Sequence, residues 1–362
     1  MSPVSSTPSP DFARPPFAGA PEARFEPAPA DGVLPEGFFS TSNLPTYLHV
    51  ASRWLMPTRP RMDGVLVRRA PGVETVEPRL VKQGEPVAMG LAEDGSEGIV
   101  VYAAGFLGVA ASPNEFRFMA TEVSRERPVS YDAMAERVEA ERRAGGYLIW
   151  VIGPALVHAR SRADFEWFAH HGYVQAALIG NAVAVHDIEA AIYGTTLGMT
   201  ERGKPAAAGH GLHMRAINRV RAAGSIERAI ESGLLGSGIM HTLVTRRIPF
   251  VMAGSIRDDG PLPGVITDAL AAQDAMRAHT VRATGAVLVA TALHAIAVGN
   301  LLPAFHTHRG FPEPLMTICV DQTEFVVSKL KDRGTHQAYG VVTNAQDFMH
   351  VLRSYVEKCR AQ

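Results

Sequence analysis

From residue 147 to residue 342 the chain repeats one local format: a short, nearly all-apolar run, a small or polar turn, then a helical stretch. Tyr147–Ile152 stops at Gly153-Pro154, Ala176–Ile179 at Gly180-Asn181, and Phe250–Ala253 at Gly254-Ser255. Val287–Ala290 stops at Thr291, Thr317–Val320 at Asp321, and Ala338–Val342 at Thr343-Asn344. A strand covered on both faces needs no alternating polar positions, so such runs are expected of parallel strands with helices on either side. Helical patterning over 163–170, 211–222, 226–231, 265–278 and 346–358 separates them. The format predicts an open, doubly wound α/β sheet.

In such a sheet, ligands bind outside the carboxyl ends of the strands. That rule nominates Gly153, Asn181, Ser255, Thr291, Asp321 and Thr343. The stretch Ala176–Glu189 is the sharpest case. Its strand ends on Gly180-Asn181 and feeds straight into a helix, which places backbone N–H groups at an edge suited to phosphates. There is no GxGxxG and no GK[ST] loop, so a dinucleotide would be held by a different loop set.

The N-terminal third reads differently. Residues 1–30 hold eight of the 25 prolines and are expected to form a flexible arm. Residues 31–128 look β-rich, with short runs at Tyr47–Val50, Gly64–Val67 and Gly98–Ala103 between Pro and Gly punctuation. Residues 129–362 are expected to form the second domain, opening on an amphipathic helix over 130–145 with Ser130 as its cap.

Composition narrows the function classes. With 35 Lys plus Arg against 36 Asp plus Glu, no strong field directs the chain to nucleic acid or to an anionic membrane. Two cysteines supply neither a disulfide framework nor a Cys-type zinc site, and point to a reducing cytoplasm. The N-terminus has no basic segment followed by an apolar one, so a secretory signal is not expected. The longest apolar stretch, 286–302, carries His294 and Asn300 and reads as a buried strand running into a buried helix. His210, His213 and His241 share no metal spacing, so no metal is expected.

Among the edge residues, Asp321 can accept hydrogen bonds from both ribose hydroxyls and would repel a 2′-phosphate, which favours NAD over NADP. The other reading of Asp321 is the N-cap of a helix beginning near Thr323. The loop 253–264 places Arg257, Asp258 and Asp259 between stiffening glycines and prolines. An arginine there can pair with a substrate carboxylate and an aspartate with an ammonium; the alternative is a surface turn with a local ion pair. His294 is either a general acid/base one turn after a strand end or a hydrogen-bonded core histidine. His186 and Asp187 are expected to orient their own helix. Upstream, the clusters around Asn43, Arg61, Asp63 and Glu122 read as turns or caps, or as substrate contacts.

Longer motifs carry a resemblance. GNAVAVHDIEAAIYGTTLG (180–198), SGLLGSGIM (232–240) and PFVMAGSIRDDGPLPGVITDALAAQDAMR (249–277) resemble the archaeal-type, LOR/SDH ornithine cyclodeaminases. They are also similar to the C-terminal part of the cyanobacterial arginine dihydrolase/ornithine cyclodeaminases. PAPADGVLPEGFFSTSNLPTYLHV (27–50), PRMDG (60–64), FRFMATEVSRERPV (116–129) and the tail 320–344 match as well. The resemblance spans roughly 27–356. The chain departs from the pattern in three places. Only the Pro-rich arm precedes the 27–50 stretch, where many relatives have an ACT-like module. Thr323 stands where an Asn is common, and 304–314 looks like an insertion near the site.

The resemblance implies a Rossmann-like, deoxyhypusine-synthase-like NAD-binding domain beside a smaller β-rich domain, in a cytoplasmic homo-oligomer, dimer or tetramer. It implies a cyclodeaminating ammonia-lyase that converts L-ornithine to L-proline with catalytic NAD, in proline biosynthesis and amino-acid metabolism. NAD contacts are implied at Asn181, Ala182, Asp259, Thr291, Ala292, Leu293, His294 and Asp321, and the strand-end rule adds Gly180 and Thr343. Catalytic roles are expected of Asp258, Asp259 and His294, and substrate binding of Asn43, Arg61, Asp63, Glu122 and Arg257. Two other readings stand beside this one: an NAD-dependent oxidoreductase or cyclodeaminase acting on another amino acid or imine, and a non-enzymatic NAD-binding regulatory protein.

Overall fold

The computed structural model describes residues 10–104, 106, 130–200, 202–207, 209–258, 260–308, 311–323 and 338–361. In chain order the first elements are β1 (Phe25–Pro27), β2 (Thr46–Val50), β3 (Arg53–Leu55), β4 (Val65–Arg69), β5 (Gly72–Val76), β6 (Pro86–Ala88) and β7 (Ile99–Val101). There follow α1 (Tyr131–Arg143), β8 (Leu148–Ile152), α2 (Pro154–His158), α3 (Arg162–His170), β9 (Ala176–Gly180), α4 (Asn181–Tyr193), β10 (Thr195–Thr196) and β11 (Met199–Thr200). Next are α5 (Leu212–Ala223), α6 (Ile226–Glu231), α7 (Ile239–Thr245), β12 (Phe250–Ala253), α8 (Ala269–Thr280), β13 (Gly285–Val289) and α9 (Ala292–Leu301). The chain closes with β14 (Phe305–His308), β15 (Phe311–Pro314), β16 (Met316–Asp321), β17 (Ala338–Val342) and α10 (Ala345–Ala361).

The described residues fall into two compact units. The first lies within Met1–Phe116, Gly299–Leu315 and Leu330–Gln337; the second within Arg117–Val298, Met316–Lys329 and Ala338–Gln362. Beside the residues expected of it, the β-rich unit takes in the segment 299–315 from the C-terminal half.

In the β-rich unit, β1-β6-β4-β5 form one antiparallel sheet and β3-β2-β7 another. Strand β4 shows why. Side chains alternate across a strand, so Val65 and Val67 join a cluster with Val76 and Val87, while Leu66 joins Leu48 and Ile99 on the other face. The expected arm does not extend over residues 10–30. Phe17 is buried and its ring meets Trp54 at 5.0 Å and Tyr47 at 5.7 Å, edge to face. Further on, β1 pairs antiparallel with β6. Two aromatic anchors and a strand outweigh the Pro-rich composition. The hairpin β14–β15 covers the segment read as an insertion. It is fastened by Ala304 N–H donating to the Asn43 carbonyl at 2.9 Å and by the buried ring of Phe305 against Phe106.

The second unit is built on a parallel sheet of order β12-β9-β8-β13-β16-β17, six strands among the described residues. Every residue of β8, β9 and β13 is buried, which explains their unbroken apolar character. Trp150 fills the centre, with Phe165 and Phe168 against its ring and its indole N–H donating to Tyr173 O at 2.8 Å. Each such side chain contributes about 1.5–3 kcal/mol of burial energy. Ser130 caps α1 by accepting from Ala133 N–H. The helix expected to start at Val265 starts at Ala269 instead. Ile266 is held in a bridge with Ala253, and the Asp268 side chain caps the helix by accepting from Ala271 N–H at 2.7 Å. The 286–302 stretch is β13 followed by α9, and among the described residues no helix is long and apolar enough to cross a membrane.

Candidate active site

The order of the strands decides where the crevice opens. From β8 the chain steps outward to β9 and β12, then returns to the other side of β8 with β13 and steps outward again to β16 and β17. The direction reverses between β8 and β13, which makes their carboxyl ends the switch point. There Gly153 N–H donates to Val289 O at 2.9 Å. A Cβ on Gly153 would land on the Ala290 carbonyl oxygen, so only glycine lets the backbones come this close. Ala290 itself is held at φ +56°, a left-handed conformation that costs an L-residue about 1–2 kcal/mol. Strain of this kind collects at binding sites. Thr291, buried, follows directly and leads into α9.

On one side of that point, four of the nominated residues come together. The His294 ring lies against Gly180, with its Cε1 2.6 Å from where a Cβ on Gly180 would sit. Burial pushes the His294 imidazole below the usual histidine range, and the Asp258 carboxylate opposes that shift. Asp258 caps its own turn, accepting from Ser255 N–H at 2.8 Å. Asn181 is buried, and its side-chain oxygen accepts from Leu262 N–H at 3.1 Å. Thus the amide at the head of α4 ties down the far end of the 254–264 loop. Arg221 grips the same loop through Pro261 O at 2.8 Å. Within this anchored loop Arg257 is exposed and Ile256 fully so.

On the other side stand Asp321 and Thr343, joined by Thr343 N–H donating to Asp321 O at 3.1 Å. The Asp321 Oδ1 accepts from both the amide (3.0 Å) and the hydroxyl (2.9 Å) of Thr323. Thr323 thus orients this carboxylate. Its Oδ2 accepts no bond among the described residues. The helix that Asp321 was alternatively expected to cap lies outside the described residues. Asp259 and Glu122 also lie outside them; Ala182 is the second residue of α4, and Ala292 and Leu293 open α9. Cys319 is buried, and its thiol is pushed up to about 12 by burial with Asp321 adding to the shift, as suits an inert core residue.

In the β-rich unit the nominated residues sort differently. Arg61 is buried; its guanidinium donates to Glu77 at 2.5 Å and to Met62 O at 3.0 Å. The Arg61 charge, expected to grip a substrate carboxylate, is already matched in the interior by Glu77. Thr41 completes the knot, donating to Arg61 O and accepting from Gly64 N–H. This pinned loop holds Asp63 exposed at φ +56°, with no ion pair among the described residues. Asn43 is buried, and its carbonyl anchors the β14–β15 hairpin.

The motif residues of α4 explain why the site is stiff. Asp187 is fully buried. Its carboxylate accepts from Arg162 Nε at 2.7 Å and from the N–H groups of Ile239 (2.9 Å) and Met240 (2.8 Å), the first turn of α7. Gly238, at φ +107°, is where a Cβ would strike Arg162. So the separated motifs 180–198 and 232–240 are one structural joint. Glu189, also fully buried, gathers Thr195 Oγ1 (2.9 Å), Leu197 N–H (3.0 Å) and Gly198 N–H (2.9 Å), and bends the chain after α4. The sequence reading passed over Glu189. The available signal was two acids on an otherwise apolar helix that carries no lysine or arginine.

The His186 ring lies tilted against His158, centroids 4.7 Å apart, and its Nδ1 lies 3.3 Å from Glu189. Burial, together with His186, pushes His158 from its ordinary 6.5 down to about 4. Between those pH values the unfolded chain binds a proton at this position that the folded chain does not. Stability is therefore expected to fall as pH drops from 6.5 to 4, through this group among others. His158→Gln should flatten the slope of unfolding free energy against pH in that window and leave it unchanged above pH 7. Equal slopes in urea titrations of the two proteins would refute the assignment.

Comparison with known proteins agrees with this architecture. Residues 132–352 match the family model described as "Arginine dihydrolase ArgZ-like, C-terminal, Rossmann fold", and residues 45–132 match its "first region". The chain is 41% identical to an ornithine cyclodeaminase of Methanopyrus kandleri, covering 94% of this chain and 79% of the relative. It is 35% identical to the bifunctional arginine dihydrolase/ornithine cyclodeaminase AgrE of Nostoc sp., covering 93% of this chain and 47% of that protein. Among solved structures, a conserved LOR/SDH protein of Methanococcus maripaludis superposes with TM-score 0.85 at 39% identity, over 94% of this chain and 99% of that one. The ternary complex of AgrE with ornithine and NAD+ superposes with TM-score 0.58 at 33% identity, over 95% and 47%. With a parallel sheet of Rossmann type, a β-rich companion and relatives at this identity over nearly its whole length, the chain belongs to the family of archaeal-type ornithine cyclodeaminases and ArgZ-like C-terminal regions.

Proposed function

We propose that the protein is an NAD-dependent ornithine cyclodeaminase, an ammonia-lyase that turns L-ornithine into L-proline and ammonia without net oxidation. The observation that carries the reading is the joining of His294, Asp258 and Gly180 at the carboxyl edge of a sheet whose switch point is closed by Gly153 and Ala290. The related AgrE is known in complex with ornithine and NAD+.

The residues present suit a dinucleotide. Asp321 offers Oδ2 to the ribose hydroxyls while Thr323 fixes Oδ1. A carboxylate there disfavours a 2′-phosphate, so NAD is preferred over NADP. The turn at Gly180–Ala182 and the run Thr291–His294 would line the rest of the cofactor, with Thr343 beside Asp321. When bound, NAD supplies a reversible two-electron acceptor, so oxidation and reduction of the substrate cancel within one turnover.

The chain's own groups handle protons and position. His294, whose pKa is lowered by burial, is assigned to take a proton from the α-ammonium and later deliver one to the leaving amine. Asp258 stabilises the imidazolium in between, and Asp259 shares that assignment. Holding the δ-amine over the reacting carbon gives ring closure a high effective molarity. Arg257 is assigned to the substrate carboxylate.

The test is direct. Purified protein incubated with L-ornithine should yield proline and ammonia in equal amounts with no build-up of NADH. A mass spectrum of the denatured protein should show NAD, and Asp321→Ala should lose it. NADH accumulating with substrate, or inertness to ornithine in a protein that does carry NAD, would overturn the reading.

A further inference from the structure

The second unit contains a pocket that the proposed reaction does not use. It lies against the C-terminal half of α4, walled by the α2–α3 junction and the β10–β11 hairpin, with a volume of about 460 Å3. It is distinct from the strand-end crevice, because α4 begins at that crevice with Asn181 whereas the pocket is built on Ala190 and the residues after Gly194.

Three observations define its chemistry. First, it carries one guanidinium and one carboxyl group that the fold leaves unmatched. Arg162 on its wall is committed to Asp187, but the side chains of Arg160, which is exposed, and Glu166 make no hydrogen bond or ion pair among the described residues. Second, the carboxyl is partly buried; burial raises the Glu166 pKa, Asp187 adds to that, and Arg162 opposes it. A partly buried carboxyl with no hydrogen-bond donor carries part of its desolvation cost, and an ammonium would offset it. The buried Nδ1 of His158, on the same wall, likewise has no partner among the described residues. Third, Val157, Leu197 and Met199 give the remaining wall an apolar part beside the hydroxyl-bearing Thr195, Thr196 and Thr200. Leu197 occupies a hairpin position at φ +50°, normally taken by Asn, Asp or Gly, yet is 56% exposed. Glu189 holds it there through the Leu197 and Gly198 amides.

We propose that this pocket is a binding site for an aliphatic α-amino acid in its zwitterionic form. Arg160 takes the carboxylate, Glu166 the ammonium, and Leu197 with Val157 the side chain. A concave pocket of this size, with apolar and polar groups converging on it, is of the kind that binds small molecules. One unmatched charge of each sign selects a zwitterion over a simple anion or cation.

The experiment is calorimetric titration of the full chain, without ornithine, using three probes: L-leucine, 4-methylpentanoate, which lacks the ammonium, and 3-methylbutylamine, which lacks the carboxylate. Leucine is expected to bind at least tenfold more tightly than either half. Glu166→Gln should weaken leucine and the amine but leave the acid unchanged. Arg160→Ala should weaken leucine and the acid but leave the amine unchanged. Both variants are first checked by thermal melting. Equal affinity for the three probes, or no binding of leucine, overturns the proposal even if neither variant folds. So does leucine binding that neither folded variant alters.

Discussion

Replacing Asp187 by alanine is expected to destabilise the second unit by about 3–5 kcal/mol, the cost of breaking a buried ion pair from one side. The carboxylate is completely buried, and three donors depend on it: Arg162 Nε and the amides of Ile239 and Met240. Without it the guanidinium has lost its counter-charge, and two amides at the start of α7 have lost their cap. Water has no route to replace an acceptor that is 0% exposed. For a unit of this size the melting temperature should drop by roughly 10 °C. Asp187→Asn keeps an acceptor but not the charge, and should fall between wild type and alanine. Urea midpoints for the three proteins would check this; a loss below 1 kcal/mol for alanine would show that α7 does not rely on the joint.

The second large effect is on turnover. Gly180→Ala is expected to reduce kcat for ornithine by about 10²-fold, the penalty for misplacing a reacting group by about 1 Å. The added methyl carbon would sit 2.6 Å from His294 Cε1, far inside contact distance. Gly180 is the fully buried last residue of β9, so the strand has little freedom to yield, and the imidazole must move. Overpacking also costs about 1–3 kcal/mol of stability, so activity is compared at a temperature where both proteins are folded. NAD content should be measured alongside, because the same turn is assigned to the cofactor. Retained NAD with lost turnover places the defect at His294. Turnover within twofold of wild type would remove His294 from the proton chemistry.

Both effects act through contacts that no local pattern reveals. Asp187 and its amides are 52 and 53 residues apart. Gly180 and His294 meet only because β13 inserts beside β8 and sends α9 back over the strand ends. The sequence supported placing both residues at the sheet edge, but not their contact. The same limit explains Arg61: its partner Glu77 is 16 residues away on the far side of the β4–β5 hairpin, so an isolated reading sees only a free cation. It also explains residues 10–30, where composition argued for an arm and Phe17 supplied an anchor that proline content does not predict.

What the amino-acid order determined by itself was the kind of element and its place along the chain. Strands buried on both faces must be apolar throughout, and their ends must be small or polar, so the six runs and their terminal residues were readable one by one. The long motifs likewise identified the family. The tertiary structure decided which ends are neighbours, where the strand order reverses, and which charges are already matched. Those depend on chain crossings and on partners distant in sequence, and free energies of burial and pairing are set by what surrounds a group after folding, not by what precedes it in the chain.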